Sequence, residues 1–339
     1  MIESIEALED LLSRPSEADI EAMRSLNGDL VLVGAGGKMG PTLAMLARRA
    51  ADAAGSPARV IAVSRFSDAE AARRLQAAGI ETVSADILDR RQVEALPDAP
   101  NVIFMTGRKF GSEADASATW ASNTYGPALI AERYPHSRIV AFSTGNVYPL
   151  VPVASGGATE QTRPDPVGEY GQSALGRERI FEYFSRRNQT PVTILRLNYA
   201  TELRYGVLLD IGRKVYERRP IELSMGYVNV MWQGDANSVC LRSFPLCAAP
   251  PTVLNLTGPE TLAVRDIAER FGRIFGIAPC LEGVEAETAL LNNAARCQEL
   301  FGPPTVTVDL QIEWIAAWIA SGGQTHGKPT KFERRDGKF

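Results

Sequence analysis

Leu30-Val31-Leu32-Val33-Gly34-Ala35-Gly36-Gly37-Lys38-Met39-Gly40 is the stretch on which the fold turns. Its first four residues make a short strand with no polar face, which belongs inside a sheet covered on both sides. The strand breaks into glycines, and an alanine-rich helical run follows to about Ala54. Gly34 permits the tight turn, Gly37 lets backbone approach a ligand, and Gly40 lets the helix pack close to the strand. The helix then presents free N–H groups and a partial positive charge to an anion. Lys38 and Met39 lie inside this loop, and Lys38 is placed to meet phosphate. The glycine triplet alone is a weak signal, but between a strand and a helix it predicts a dinucleotide cradle.

Outward from this stretch the chain alternates. Val60–Val63, Glu81–Val83, Val102–Met105, Arg138–Phe142 and Pro191–Leu195 read as strands separated by helical segments. Right-handed crossovers then give an α/β fold, a doubly wound parallel sheet of Rossmann-like type, with a smaller C-terminal substrate lobe. The expected divisions are an N-terminal helical extension (1–27), a dinucleotide-binding domain (28–200), a mainly substrate-binding lobe (201–322) and a basic C-terminal tail (323–339). Residues 2–26 read as two amphipathic helices, with Ser16 as N-cap of the second. In the lobe, 204–218, 264–276, 286–300 and 308–321 read as helices, and 226–231 and 252–256 as short strands. The Gly/Lys/Arg-rich tail reads as a loosely held, solvated arm; the alternative is that it folds over the site and meets an anionic group.

Composition narrows the chemistry. The 339 residues are 45% hydrophobic and carry a net charge of −4, which excludes disorder and argues against nucleic-acid binding. Two histidines, His136 and His326, both in polar turn-like contexts, leave no basis for a multi-His metal site. Acid–base work falls to Tyr, Lys, Asp, Glu, Ser or Thr, and no metal is expected. The four cysteines show no CxxC spacing and read as reduced thiols. The acidic N-terminus is not a signal peptide, and no apolar run is long enough to span a bilayer. A cytoplasmic protein without membrane contact is expected.

The strand from Val60 ends Val63-Ser64-Arg65-Phe66. A carboxylate there would favour the free 2′-hydroxyl of NAD, whereas Arg65 favours the 2′-phosphate of NADP. NADP is therefore expected, with NAD as the alternative. Asp86 and Ile87, after the third strand, are placed to meet the adenine edge.

The chain from about 28 to 320 resembles the extended short-chain dehydrogenase/reductases, in particular their NAD-dependent epimerase/dehydratase group of nucleotide-sugar enzymes. Gly34, Gly37 and Gly40 match its glycine spacing. Val102-Ile103-Phe104-Met105-Thr106-Gly107 resembles its fourth strand, whose end lies beside the cofactor, and Asn123 stands in the following helix where the family often has Asn. Phe142-Ser143-Thr144-Gly145-Asn146-Val147-Tyr148 resembles the fifth-strand motif, which makes Thr144 the catalytic hydroxyl. Tyr170-Gly171-Gln172-Ser173-Ala174-Leu175-Gly176-Arg177-Glu178 lies where the family has Tyr-x-x-Ser-Lys-x-x-x-Glu. Arg196 with Asn198 and Tyr199 resembles the sixth-strand segment, and Asp235 the aspartate opening a later helix.

That resemblance implies hydride transfer between a substrate carbon and nicotinamide, Tyr170 acting as acid or base on the substrate oxygen. It also implies a lysine one turn beyond the tyrosine, where this chain has Ala174. Lys109 is the expected substitute cation, since adjacent parallel strands lie only ~4.8 Å apart. Arg177 is i+7 from Tyr170, about 10 Å along the axis, and is the poorer candidate.

The substrate region departs too. The segment Tyr227–Asp235 has no arginine where nucleotide-sugar enzymes usually place one. Asn229, Trp232 and Gln233, with Asn146 and Asn198, suggest a pocket for a polyhydroxy compound; Trp232 reads equally well as core. Gly145-Asn146 replaces the Asp-Glu pair of dehydratases, so oxidoreductase or epimerase chemistry is expected on a sugar, sugar acid or nucleotide sugar. The alternative from Ala174 is a dinucleotide-binding sensor or scaffold that has lost catalysis. A homodimer through 113–133 and the Tyr170 helix is expected from the family habit.

Overall fold

The computed structural model describes residues 2–338. Two helices open the chain, α1 (Ile5–Leu12) and α2 (Glu17–Ser25). Ser16 caps α2 in a reciprocal capping box with Asp19. The alternating region follows as β1 (Leu30–Val33), α3 (Gly40–Ala54), β2 (Val60–Ser64), α4 (Ala69–Ala77), β3 (Glu81–Ser84), α5 (Arg90–Glu94) and β4 (Asn101–Phe104). Then come α6 (Ala116–Trp120), α7 (Gly126–Arg133), β5 (Arg138–Thr144), α8 (Gly168–Asn188) and β6 (Val192–Leu197). The remainder holds α9 (Val207–Tyr216), α10 (Gln233–Arg242), β7 (Thr252–Leu256), α11 (Val264–Phe275), α12 (Ala295–Phe301) and α13 (Val308–Ala320).

The strands form one parallel sheet in the order β7-β6-β5-β4-β1-β2-β3. Period-two alternation divides each strand between two cores. Leu30 and Leu32 face α2, α3 and α10, while Val31 and Val33 face α5, α7 and α8. The order reverses between β1 and β4, so the carboxyl ends of these strands frame a crevice. A third core joins α1, α9, α11 and α13 in the smaller lobe.

Three expectations change. The strand over 252–256 is not part of the lobe, because β7 pairs along β6 and completes the main sheet. The helix expected over 286–300 is only α12. Thr288 and Ala289 instead pair antiparallel with Pro152 and Val151. Asn292 N–H donates to Asn229 Oδ1 and Asn293 N–H to the carbonyl of Ala158, at 2.8 Å each, so local polar bonds outcompete the helix.

The tail is not a solvated arm. Thr330 donates from both N and Oγ1 to Asp210 Oδ2, at 2.7 and 2.6 Å. Phe332 is buried in the lobe core, and Arg335 donates to the carbonyls of Ser224 and Thr288. One aromatic anchor and one carbonyl-satisfying arginine hold a segment whose charge suggested solvation. Among the described residues, no helix is long and apolar enough to cross a membrane.

Candidate active site

The carboxyl ends of β1, β4, β5 and β6 open onto one cavity of about 430 Å³. Gly34, Gly37, Lys38 and Met39 line it from the glycine loop, and Gly107 and Lys109 from the turn after β4. Thr144 and Asn146 enter from the end of β5, Asn198 from the end of β6, and Tyr170 from the first turn of α8. A second cavity of about 300 Å³ shares Gly34, Gly37 and Gly107 and runs toward Ser64, Arg65, Thr106, Asp86 and Ile87. Together they form a groove from the tip of β2 to Tyr170, with the glycine loop and the N-terminus of α3 at its middle.

The residues present fit a dinucleotide. Gly34 has φ +98°, and a Cβ there would lie 2.8 Å from the backbone nitrogen of Thr106. Only glycine brings β1 and the β4 turn so close. Thr106 Oγ1 beside it is buried without a hydrogen-bond partner among the described residues, a hydroxyl left available where the groove passes. α3 begins at Gly40, directly after the glycine loop, and no side chain caps its N-terminus.

Asn123 lies in a π-helical turn, Ala121–Tyr125, between α6 and α7. Asn123 is the buried residue of this turn. Its Oδ1 accepts from Arg108 N–H and Arg177 Nη2, and its Nδ2 donates to the Arg108 carbonyl and to Ser173 Oγ. Asn123 therefore fixes the turn after β4 to α8 and stands behind the groove.

Burial and like charge shape the lysines. Lys109 is pushed down to about 7, by burial first and then by Lys38. Its Nζ donates to the Thr330 carbonyl and stands 5.7 Å from the centre of the Tyr170 ring. Lys38 is pushed down to about 8 by burial and by Lys328. Its Nζ lies 3.3 Å from the centre of the Tyr205 ring and 4.6 Å from that of Phe110. Lys38 is thus directed across the cavity toward these two rings. Tyr205 and Tyr199 are both raised by burial.

A buried network supports the walls. Glu178 pairs with Arg196 at 2.7 Å and accepts from Ser143 Oγ at 2.6 Å. Arg196 Nη1 donates to Tyr148 Oη, which donates to Asn255 Oδ1. Thr144 lines the cavity, and its Oγ1 accepts from Asn146 N–H and donates to Asn146 Oδ1, at 3.2 Å each. Gln233 also lines the cavity and donates to Thr42 Oγ1.

Two expected substrate residues stand elsewhere. Trp232 is buried edge-on to Trp314 in the lobe core, its ring 5.5 Å away. Asn229 spends its amide on Glu260 and Asn292. An indole this large gains more from full burial than from a wet pocket wall. The sequence reading passed over Phe110 and Tyr205, which line the cavity, and gave only as an alternative that the tail, here Lys328 and Thr330, comes over it. It ranked Arg177 low, yet its guanidinium reaches the cavity wall. His136 and His326 are both exposed, and His326 lies 3.4 Å from Glu202.

A sequence model of the NAD dependent epimerase/dehydratase family matches residues 30–201. The chain belongs to this family. Its kind of enzyme is therefore the NAD-dependent epimerase/dehydratase type, and the matched segment runs from β1 to just past β6. Solved epimerase and dehydratase structures share the fold. UDP-glucuronic acid 4-epimerase from Bacillus cereus, in complex with UDP-glucuronic acid and NAD, superposes with a TM-score of 0.72 at 16% identity, over 86% of this chain and 99% of that one. DesIV, the dTDP-glucose 4,6-dehydratase of Streptomyces venezuelae with NAD bound, gives 0.73 at 17%, over 86% and 97%. UDP-glucose 4-epimerase from Thermotoga maritima gives 0.68 at 14%, over 87% and 99%. No curated protein matches significantly in sequence.

Proposed function

We propose that this member of the family oxidises, or epimerises, a hydroxyl-bearing carbon of a nucleotide sugar, sugar or sugar acid. The observation that carries the reading is the convergence of Tyr170, Thr144 and the glycine loop on one cavity. A nicotinamide dinucleotide held by Gly34, Gly37, Thr106 and Gly107 supplies, when bound, a hydride acceptor. Tyr170 takes the substrate hydroxyl proton, and Thr144 orients that oxygen. Asn146, Asn198 and Gln233 offer hydrogen bonds to further hydroxyls.

Two features refine the substrate. The cavity walls carry Lys38, Lys109, Arg177 and Lys328 but no carboxylate among the described residues. The cations suit an anionic substrate such as the nucleotide sugars carried by the similar structures. The missing carboxylate speaks against dehydration, whose elimination step needs a further acid–base pair.

Arg65, exposed at the far end of the groove, favours NADP, with NAD as the alternative. Calorimetry with each cofactor tests this. Arg65→Ala should weaken NADP about tenfold, the worth of one charge-assisted contact near 1.4 kcal/mol, and leave NAD unchanged.

Turnover tests the chemistry. The chain is incubated with NAD or NADP and UDP-glucose, UDP-glucuronic acid or free sugar acids, and products are resolved by chromatography. Tyr170→Phe should lower turnover by at least about 100-fold. Undiminished turnover in that variant rejects Tyr170 as the acid–base group.

A further inference from the structure

We infer that Arg177, two helical turns beyond Tyr170, is the positioning residue that supplies the fixed positive charge missing at Ala174. The inference rests on Tyr170 being the acid–base group. Residues seven apart return to one helix face after about 10 Å. The arginine stem spans much of that distance, and its side chain lines the same cavity as Tyr170.

Its position is built rather than incidental. Nη1 donates to the Phe142 carbonyl at 2.8 Å and Nη2 to Asn123 Oδ1 at 2.8 Å. Nε is buried without a partner among the described residues. Gly107 is part of the device, because a Cβ there would strike Nη2. Ala174, fully buried, has no long side chain to compete for the space where the family's lysine would run. Burial holds the guanidinium below its ordinary value, and Tyr170 leads the groups that oppose this, ahead of Glu178.

Lys109 is the rival. It lies near the Tyr170 ring, but it is pushed down to about 7 and so loses its charge over the pH range in which an oxidising tyrosine must work. A guanidinium keeps its charge there, even with burial holding it below its ordinary value. Lys38, Lys331 and Asp210 act on Lys109, and Tyr199 and Tyr205 feel Tyr170 from the lobe side. Arg177 alone of the cations approaches from α8 itself.

Tyrosinate absorbance against pH, taken as the difference between the parent chain and its Tyr170→Phe variant, isolates one phenol without any substrate. Arg177→Met, paired with its own Tyr170→Phe control, should move that step up by about one pH unit or more. Adding Ala174→Lys to Arg177→Met should bring it back. Gly107→Ala displaces the guanidinium without removing it and should move the step the same way, which decides the matter if Arg177→Met does not fold. Lys109→Met should move it less. An unmoved step in folded Arg177→Met or Gly107→Ala, or a larger move in Lys109→Met, overturns the inference. Those results leave the turnover test of Tyr170 untouched, so failure of one is distinguishable from failure of the other.

Discussion

Asn123 Nδ2 donates to Ser173 Oγ at 2.9 Å, and Ser173 Oγ in turn donates to the carbonyl of Tyr170 at 3.0 Å. The π-turn before α7 is thereby coupled to the first turn of α8, so the tyrosine's height above the sheet depends on an amide fifty residues before Ser173. Asn123→Ala leaves the Arg108 backbone and the Arg177 guanidinium short of partners. It should cost about 1–3 kcal/mol in urea unfolding and lower turnover more than cofactor affinity. Equal losses in both would indicate general loosening rather than misplacement of Tyr170.

The Glu178–Arg196 pair is 3–5% exposed, too buried for water to compensate a lost partner. Arg196→Met strands the carboxylate and should destabilise by about 3–5 kcal/mol. The double variant Glu178→Gln with Arg196→Met should recover part of that. Thermal and urea unfolding of the three chains form the check; a single-variant cost under about 1 kcal/mol contradicts the pairing.

Lys109 makes stability depend on pH in a definite direction. Its native value, about 7, lies below its unfolded one near 10.5. Below pH 7 both states carry the proton and the burial penalty is complete. Between pH 7 and 10.5 the native state has released a proton that the unfolded state still holds, so the penalty is relieved as pH rises. The parent should therefore gain on Lys109→Met across that window, by at most about 1.4 kcal/mol per pH unit and by less because the stem is partly exposed. Parallel stability curves for the two chains would reject the shift.

Phe332 anchors the strap that carries Thr330 over Lys109. Phe332→Ala should cost about 3 kcal/mol and expose residues 323–338 to limited proteolysis. Protease cuts at equal rates in the parent and variant would show that the strap is held by something else.

Much of the site follows from local pattern. The strand–glycine–helix passage at 30–40, the threonine ending β5 and the tyrosine opening α8 are each set by neighbours a few residues away. Parallel strands must then bring their carboxyl ends together. Arg177 ranked low because the placement of its guanidinium depends on Gly107 and Asn123, which are far off in sequence. Trp232 read equally well as pocket wall or core, because residue type alone does not say which interior an indole enters; its packing against Trp314 decides for the core.

The order of elements and the strand–glycine–helix passage were thus determined by the sequence itself, because backbone sterics and hydrophobic periodicity act over a few residues. Only the tertiary structure decided that β7 returns to the main sheet, that Lys328 and Thr330 of the tail line the cavity and that the Arg177 side chain reaches the cavity Tyr170 lines. These depend on burial and on the field of charges brought close by folding, and neither quantity exists in a chain until distant segments share one low-dielectric space.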